Sequence, residues 1–225
     1  LIGKNLNEAF AQSISNPEKP INIGKVKDVS YGVLRYYYSL EEILNKLVTK
    51  KPKDKIVYLI LLVALYEIKY TKKPKFAVTN DLVELSHTLT NNAQIKSFVN
   101  AVIRNYLRIG ADTEKSLENK PEFKYNFPNW WISKIKKDFP LNYADELLNL
   151  NQIPKINLRV NLRKISIDDY TKELENNAIE FTLVEDRISL AQSISVDKIP
   201  LFAEGYVSIQ DIHAQKLIDV VKPNF

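Results

Sequence analysis

The chain has 225 residues, 45% of them apolar and 26% charged, with 32 Lys and Arg against 27 Asp and Glu. That length buries a core without disulfides or metal, as one large domain or two small ones, and the composition excludes a disordered chain, a collagen and a membrane-embedded bundle. With no cysteine, and with His87 and His213 far apart in sequence, a disulfide framework, a thiolate metal site and a cysteine nucleophile are excluded, and no metal is expected.

In chain order, Leu6, Ala9, Phe10 and Ser13-Ile14 predict a first helix, which Pro17 and Pro20 break. From Val26 to Val48 the apolar residues keep helical spacing. Two helices are expected there, joined near Ser39, with Ser39 and Glu42 as a capping box. The run Lys50-Lys51-Pro52-Lys53-Asp54 is a basic turn; a buried helix is expected from about Lys55 to Tyr70, then a second basic turn over Thr71-Lys72-Lys73-Pro74-Lys75. Further helices are expected at about 76–89 and 93–109, with Gly110 closing the last as a C-terminal cap. Residues 1–110 thus read as an all-α bundle of six or seven helices.

The polar stretch 111–127 reads as a linker. Beyond it, helices are expected from Pro128 to Phe139 and from Leu141 to Leu150. Ile156–Leu162 alternates like a strand. Ser166 caps a helix to Asn177, strands are expected at 179–184, 187–191 and 206–210, and Asp211 caps a final helix. Residues 128–225 therefore read as a small α+β domain, giving a mainly α protein of two domains.

Charge is unevenly spread. Residues 1–110 carry 17 basic and 9 acidic residues, and residues 111–225 carry 15 and 18. A basic half points to a polyanionic partner, or to solvated lysines alone. The longest apolar run, Ile56–Tyr66, is too short to span a bilayer, and no secretory signal opens the chain, so no membrane partner and a cytoplasmic location are expected. Methionine is absent even at position 1, so Leu1 is not expected to be the native start.

No Gly-rich phosphate loop, nucleophile elbow or paired-His motif is present. The candidates for nucleic-acid contact are Lys50, Lys51 and Lys53 at the first basic turn and Lys72, Lys73 and Lys75 at the second. The two turns should sit at opposite ends of one helix, as phosphate contacts or as solvated turns. Arg104 and Arg108 lie one helical turn apart, with Asn100 and Asn105 nearby, on a face able to bind phosphate or fork onto bases. Arg35-Tyr36-Tyr37-Tyr38 offers either a stacking platform or core tyrosines. Arg159, Asn161 and Arg163 should share one strand face at period two.

Several segments resemble a known family. SYGVLRYYYSLEEIL (30–44), LLVALYEIKY (61–70) and FVNAVIRNYLR (98–108) resemble NusB-like helical domains. LRVN (158–161) and EGYVSIQDIHAQ (204–215) resemble segments of bacterial 16S rRNA cytosine-C5 methyltransferases of the Sun/Fmu (RsmB) type. The resemblance covers nearly the whole chain, in the family's order. It implies an enzyme that methylates a cytosine of 16S rRNA with S-adenosylmethionine, using two cysteines on a Rossmann-like domain. Neither those cysteines nor that domain lies in this sequence. The chain is therefore expected to be the RNA-binding N-terminal region, with no cofactor of its own, 16S rRNA as partner and a catalytic domain missing in cis. In this reading Arg35, Asn100 and Arg104 match the helical-domain pattern. Gln210 and Asp211 match the segment that packs beside the catalytic domain, and Asp211 is equally a helix cap. The alternatives are a standalone NusB-like antitermination or assembly factor acting with a protein partner, and a protein-docking scaffold with no RNA role.

Overall fold

The computed structural model describes residues 5–14, 22–152, 154–192 and 194–221. The chain divides into two compact units, Leu1–Asn151 and Gln152–Phe225. The break expected at Pro17 and Pro20 lies outside the described residues.

Nine helices build the first unit among the described residues: α1 (Leu6–Ile14), α2 (Ile23–Arg35), α3 (Tyr37–Leu47), α4 (Lys55–Tyr70), α5 (Lys75–Thr90), α6 (Ala93–Leu117), α7 (Pro121–Tyr125), α8 (Asn129–Asp138) and α9 (Tyr143–Leu150). The apolar helix α4 is the centre. Leu61, Leu62, Ala64 and Leu65 are all but fully buried and pack with Leu40 and Leu44 of α3, Val78 of α5 and Val99 and Ile103 of α6. Each such leucine contributes about 1.5–3 kcal/mol on burial. Helix α2 comes so close to α4 that a Cβ on Gly32 would lie 2.0–2.4 Å from the Tyr66 ring and hydroxyl.

The break between α2 and α3 falls at Tyr36, not near Ser39. The neighbouring bonds Tyr36 N–H to Gly32 O (3.0 Å) and Leu40 N–H to Tyr36 O (2.9 Å) are intact. A continuous helix would also bond the Ser39 N–H to the Arg35 carbonyl. Instead the Asn126 carboxamide stands between them: its Oδ1 accepts from Ser39 N–H at 2.9 Å, and its Nδ2 donates to Arg35 O. Ser39 Oγ donates to the same Oδ1 at 3.0 Å. The expected capping box does not form, because Ser39 lies inside the first turn of α3 with its N–H taken by Asn126. Glu42 instead accepts from Lys120. Asn126 sits just past α7 in the left-handed region (φ 59°), which suits asparagine.

Helix α3 is also tied to α4 through Glu41. Its Oε1 accepts from Lys51 Nζ at 2.6 Å, Tyr58 OH at 2.7 Å and Tyr37 OH at 3.1 Å. The Lys51 ammonium lies 4.3 Å from the Tyr58 ring centroid. Burial alone would raise the Glu41 carboxyl, but the hydrogen bonds from Lys51, Tyr58 and Tyr37, with the Lys51 charge, hold it below the ordinary value.

Helix α6 does not end at Gly110 but runs on to Leu117. The Tyr106 ring lies over Gly110, where a Cβ would stand 2.8 Å from it, and its hydroxyl reaches Glu114, which also holds Lys69 of α4. Gly110 therefore makes room for a ring rather than capping a helix. Residues 111–127, expected as a linker, carry the end of α6 and all of α7. A small core of Tyr125, Ile132, Ile135 and Leu147 joins α7 to α8 and α9.

The second unit is a four-stranded antiparallel sheet in the order β2 (Phe181–Val184), β3 (Arg187–Leu190), β1 (Asn157–Val160), β4 (Val207–Ile209). Helix α10 (Ile167–Asn176) lays Tyr170 and Leu174 on Leu158, Ile188, Leu190 and Val207. Tyr170 is fully buried; its hydroxyl donates to Pro200 O at 3.0 Å, and burial raises its pKa to about 12. Helix α11 (Ile212–Val221) starts from Asp211, whose Oδ1 accepts the His213 N–H at 2.8 Å.

Four outcomes test this account. Gly32→Ala should destabilise the protein by about 1–3 kcal/mol in thermal unfolding, because overpacking outweighs the better helix propensity of alanine. Tyr66→Phe should not rescue it, since ring carbons as well as the hydroxyl crowd that Cβ. Asn126→Gly should cost about 2–4 kcal/mol in urea unfolding, since it orphans two backbone groups although glycine suits the positive φ. Glu41 has a folded pKa below its ordinary 4.5, so its contribution is present above that value and lost as pH falls through the lowered one. Glu41→Gln should therefore flatten the fall of unfolding free energy with pH just below 4.5.

Candidate nucleic-acid interface

In the first unit the start of the loop after α3 faces the middle of α6 across a groove of about 650 Å³. Leu47, Val48, Phe98 and Val102 give it an apolar floor, and Lys50, Arg104 and Arg108 a cationic rim. Each arginine is steadied from its own helix. Arg104 Nε donates to Asn100 Oδ1 at 3.1 Å, and Arg108 Nη2 donates to Asn105 Oδ1 at 3.0 Å. A guanidinium has five N–H donors, so each keeps most of its fork free for a phosphate or a base edge. The structure thus brings together residues from both the first basic turn and the expected arginine face.

The other lysines of the basic turns divide into two sets. Lys51 is engaged by Glu41, as described above, and Lys73 by Glu67, a carboxylate only 6% exposed. Removing Lys73 would leave that carboxylate buried and unpaired, so both side chains hold the bundle together. Lys53, Lys72 and Lys75 are exposed and have no ion-pair partner among the described residues. Helix α4 has 16 residues, which puts the two turns about 24 Å apart along its axis.

The tyrosines after Arg35 are structural. Tyr36 stacks on Tyr70, with centroids 4.0 Å apart and planes at 11°. Tyr37 bonds Glu41 and Tyr58, and Tyr38 packs edge-on against Tyr37. The floor residue Phe98 and the junction residue Asn126 escaped the sequence reading. Phe98 occupies an ordinary apolar position of α6, and the partners of Asn126 are 87 and 91 residues away.

In the second unit, Arg159, Asn161 and Arg163 border one cavity of about 1000 Å³, but not as one strand face. Strand β1 stops at Val160. Asn161 opens a turn: its Oδ1 accepts the Arg163 N–H at 3.2 Å and its Nδ2 donates to Gly205 O at 3.2 Å. Arg159 Nη1 donates to Gln210 Oε1 at 3.2 Å, so Gln210 orients that guanidinium. Asp211 caps α11. The same cavity is lined by the tip of the β2–β3 hairpin, Glu185-Asp186, where Glu185 pairs with Arg187 and Lys216 at 3.1 Å each.

The sheet of the second unit is antiparallel throughout, unlike the mainly parallel sheet of a dinucleotide-binding α/β fold. Among the described residues, no three His, Asp or Glu side chains are grouped to hold a metal ion. No helix among them is long and apolar enough to cross a membrane.

Residues 1–108 match the NusB family, and residues 127–197 match the Methyltr_RsmF/B-like, ferredoxin-like domain. Ribosomal RNA small subunit methyltransferase B of Photorhabdus laumondii is 30% identical over 217 residues, which cover 94% of this chain and 49% of the relative. The protein of the same name from Pasteurella multocida is 30% identical over 219 residues, covering 95% and 48%. The chain spans about half the length of these curated relatives. The crystal structure of PH0851 aligns with a TM-score of 0.59 at 18% identity, over 97% of this chain and 50% of that one, and supports the fold alone. In chain order, then, residues 1–108 are similar to the NusB family and residues 127–197 to the RsmF/B-like ferredoxin-like domain.

Proposed function

We propose that this chain is the RNA-binding N-terminal region of an S-adenosylmethionine-dependent 16S rRNA (cytosine-C5) methyltransferase, and that it positions rRNA for a catalytic domain that lies outside this sequence. The observation that carries the reading is the pairing of the two domains in one chain, in the order found in relatives named ribosomal RNA small subunit methyltransferase B. The rimmed groove between the loop after α3 and helix α6 supports it physically, because its cations are held at the surface and left open. A standalone NusB-like factor would not require the second domain. The cofactor and the reacting cysteines belong to the catalytic part, and the cytoplasm, where rRNA is modified, is the matching location.

In this reading the groove supplies affinity. Lys50, Arg104 and Arg108 contact phosphates, with Lys53, Lys72 and Lys75 extending the positive field toward both ends of α4. Lys51 and Lys73 are engaged by carboxylates of the bundle itself, and the division into a helical RNA-binding part (1–110) and a smaller RNA-binding part (128–225) is one of function rather than of folding. In the smaller part Arg159, Asn161 and Arg163 face RNA, and Gln210 and Asp211 lie toward the catalytic domain.

The test is fluorescence anisotropy with labelled hairpins cut from 16S rRNA, titrated with salt. Arg104→Glu and Arg108→Glu together should weaken binding at least tenfold, and should lower the slope of log K against log salt by roughly 1 for each phosphate no longer bound. Lys73→Gln should change stability more than affinity. Unchanged RNA binding in the double arginine variant would remove the groove from the interface.

A further inference from the structure

The second unit's cavity is lined by side chains of both charges, Arg159, Arg163 and Arg187 with Glu185 and Asp186. The guanidinium of Arg159 is oriented by Gln210, and Arg163 projects from a turn that Asn161 clamps onto the Gly205 loop. The turn is fixed further by the Asn161 N–H to Tyr206 O (2.8 Å) and by Lys164 Nζ to Glu204 O (2.6 Å). At the hairpin tip Glu185 is neutralised by Arg187 and Lys216, while the exposed Asp186 has no hydrogen-bond partner among the described residues. Both tip residues have positive φ, 49° and 62°, a conformation that aspartate tolerates better than most residues and glycine best.

A site made only to attract a nucleic-acid backbone would gain from cations on every side. This one brings the unpartnered Asp186 carboxylate to the same cavity as Arg159, whose guanidinium Gln210 orients, and Arg163, which projects from a clamped turn. A ligand that satisfies both charges carries an anion at one end and N–H donors at the other. An unpaired nucleotide does this, through its phosphate and the Watson–Crick edge of its base. In a duplex the donors of that edge are taken by the partner base, so the Asp186 carboxylate would meet only repulsion.

We propose that this cavity is a subsite for one unpaired RNA nucleotide, with its phosphate on Arg163 and Arg159 and its base N–H groups on Asp186. The assignment rests on the RNA-binding reading above and adds to it a preference for single-stranded over paired RNA, located in the second unit.

The test variant is Asp186→Gly, which removes the carboxylate while suiting the positive φ, so the hairpin should keep its stability; circular dichroism and a thermal melt check this. Binding of the whole chain is measured by anisotropy to a labelled single-stranded RNA of mixed sequence and to the same strand annealed to its complement. Loss of a charge-assisted hydrogen bond should weaken single-strand binding about tenfold and leave the duplex unchanged or slightly tighter. Electrostatics alone predicts the reverse for the single strand, since the variant carries one negative charge fewer. Arg163→Gln should weaken single-strand binding as well. If the folded Asp186→Gly protein binds single strands as well as or better than the parent, the subsite is overturned while the RNA-binding reading stands. If the parent binds neither RNA, both fall.

Discussion

A single side-chain amide holds the helical unit's geometry. Helices α2 and α3 would be one rod if the Ser39 N–H met the Arg35 carbonyl. The Asn126 carboxamide takes both groups instead, so the chain can change direction at Tyr36 without leaving either unpaired. That change of direction lets α2 press Gly32 against Tyr66 while α3 lays Leu40, Ile43 and Leu44 on α4. It also stacks Tyr36 on Tyr70. A buried amide that satisfies a donor and an acceptor at once is stabilising only while both bonds are made, so the junction is specific as well as strong.

The positive charges of the first half do different jobs, and their partners sort them. Lys51 and Lys73 meet carboxylates of the bundle itself. Arg104 and Arg108 meet neutral amides on their own helix, which orient the guanidinium without cancelling its charge. An arginine held this way has already lost part of its rotamer freedom before a ligand arrives. The +8 of residues 1–110 therefore overstates the field offered to a polyanion, and the groove rim understates its quality if judged by charge alone.

Most of the elements were legible because their signals are local. Helix α4 is a long apolar run closed by prolines and lysines, and strands β2 and β3 flank a two-residue turn. The misreadings share one cause, a distant partner that overrides a local pattern. Gly110 follows a periodic helix as a cap would, but the Tyr106 ring uses its missing side chain and the helix continues. Ser39 and Glu42 have the spacing of a capping box, yet Asn126 and Lys120 claim them. Arg159, Asn161 and Arg163 have strand spacing, but the Asn161 side chain bonds its own backbone two residues on and ends the strand. The site was legible in its residue types. Its grouping was not, since Lys50 reaches Arg104 and Arg108 only through the tertiary fold.

The reach of Asn126 also bears on how such a protein is inherited. The NusB match ends at residue 108, whereas the compact unit continues to Asn151. A gene rearrangement that copied only the matched stretch would carry the α2–α3 bend without the amide that makes it, and α6 without the Glu114 that anchors Tyr106. In this chain the edge of the family match and the edge of the folded unit therefore differ, and the residues between them close contacts that the matched stretch relies on.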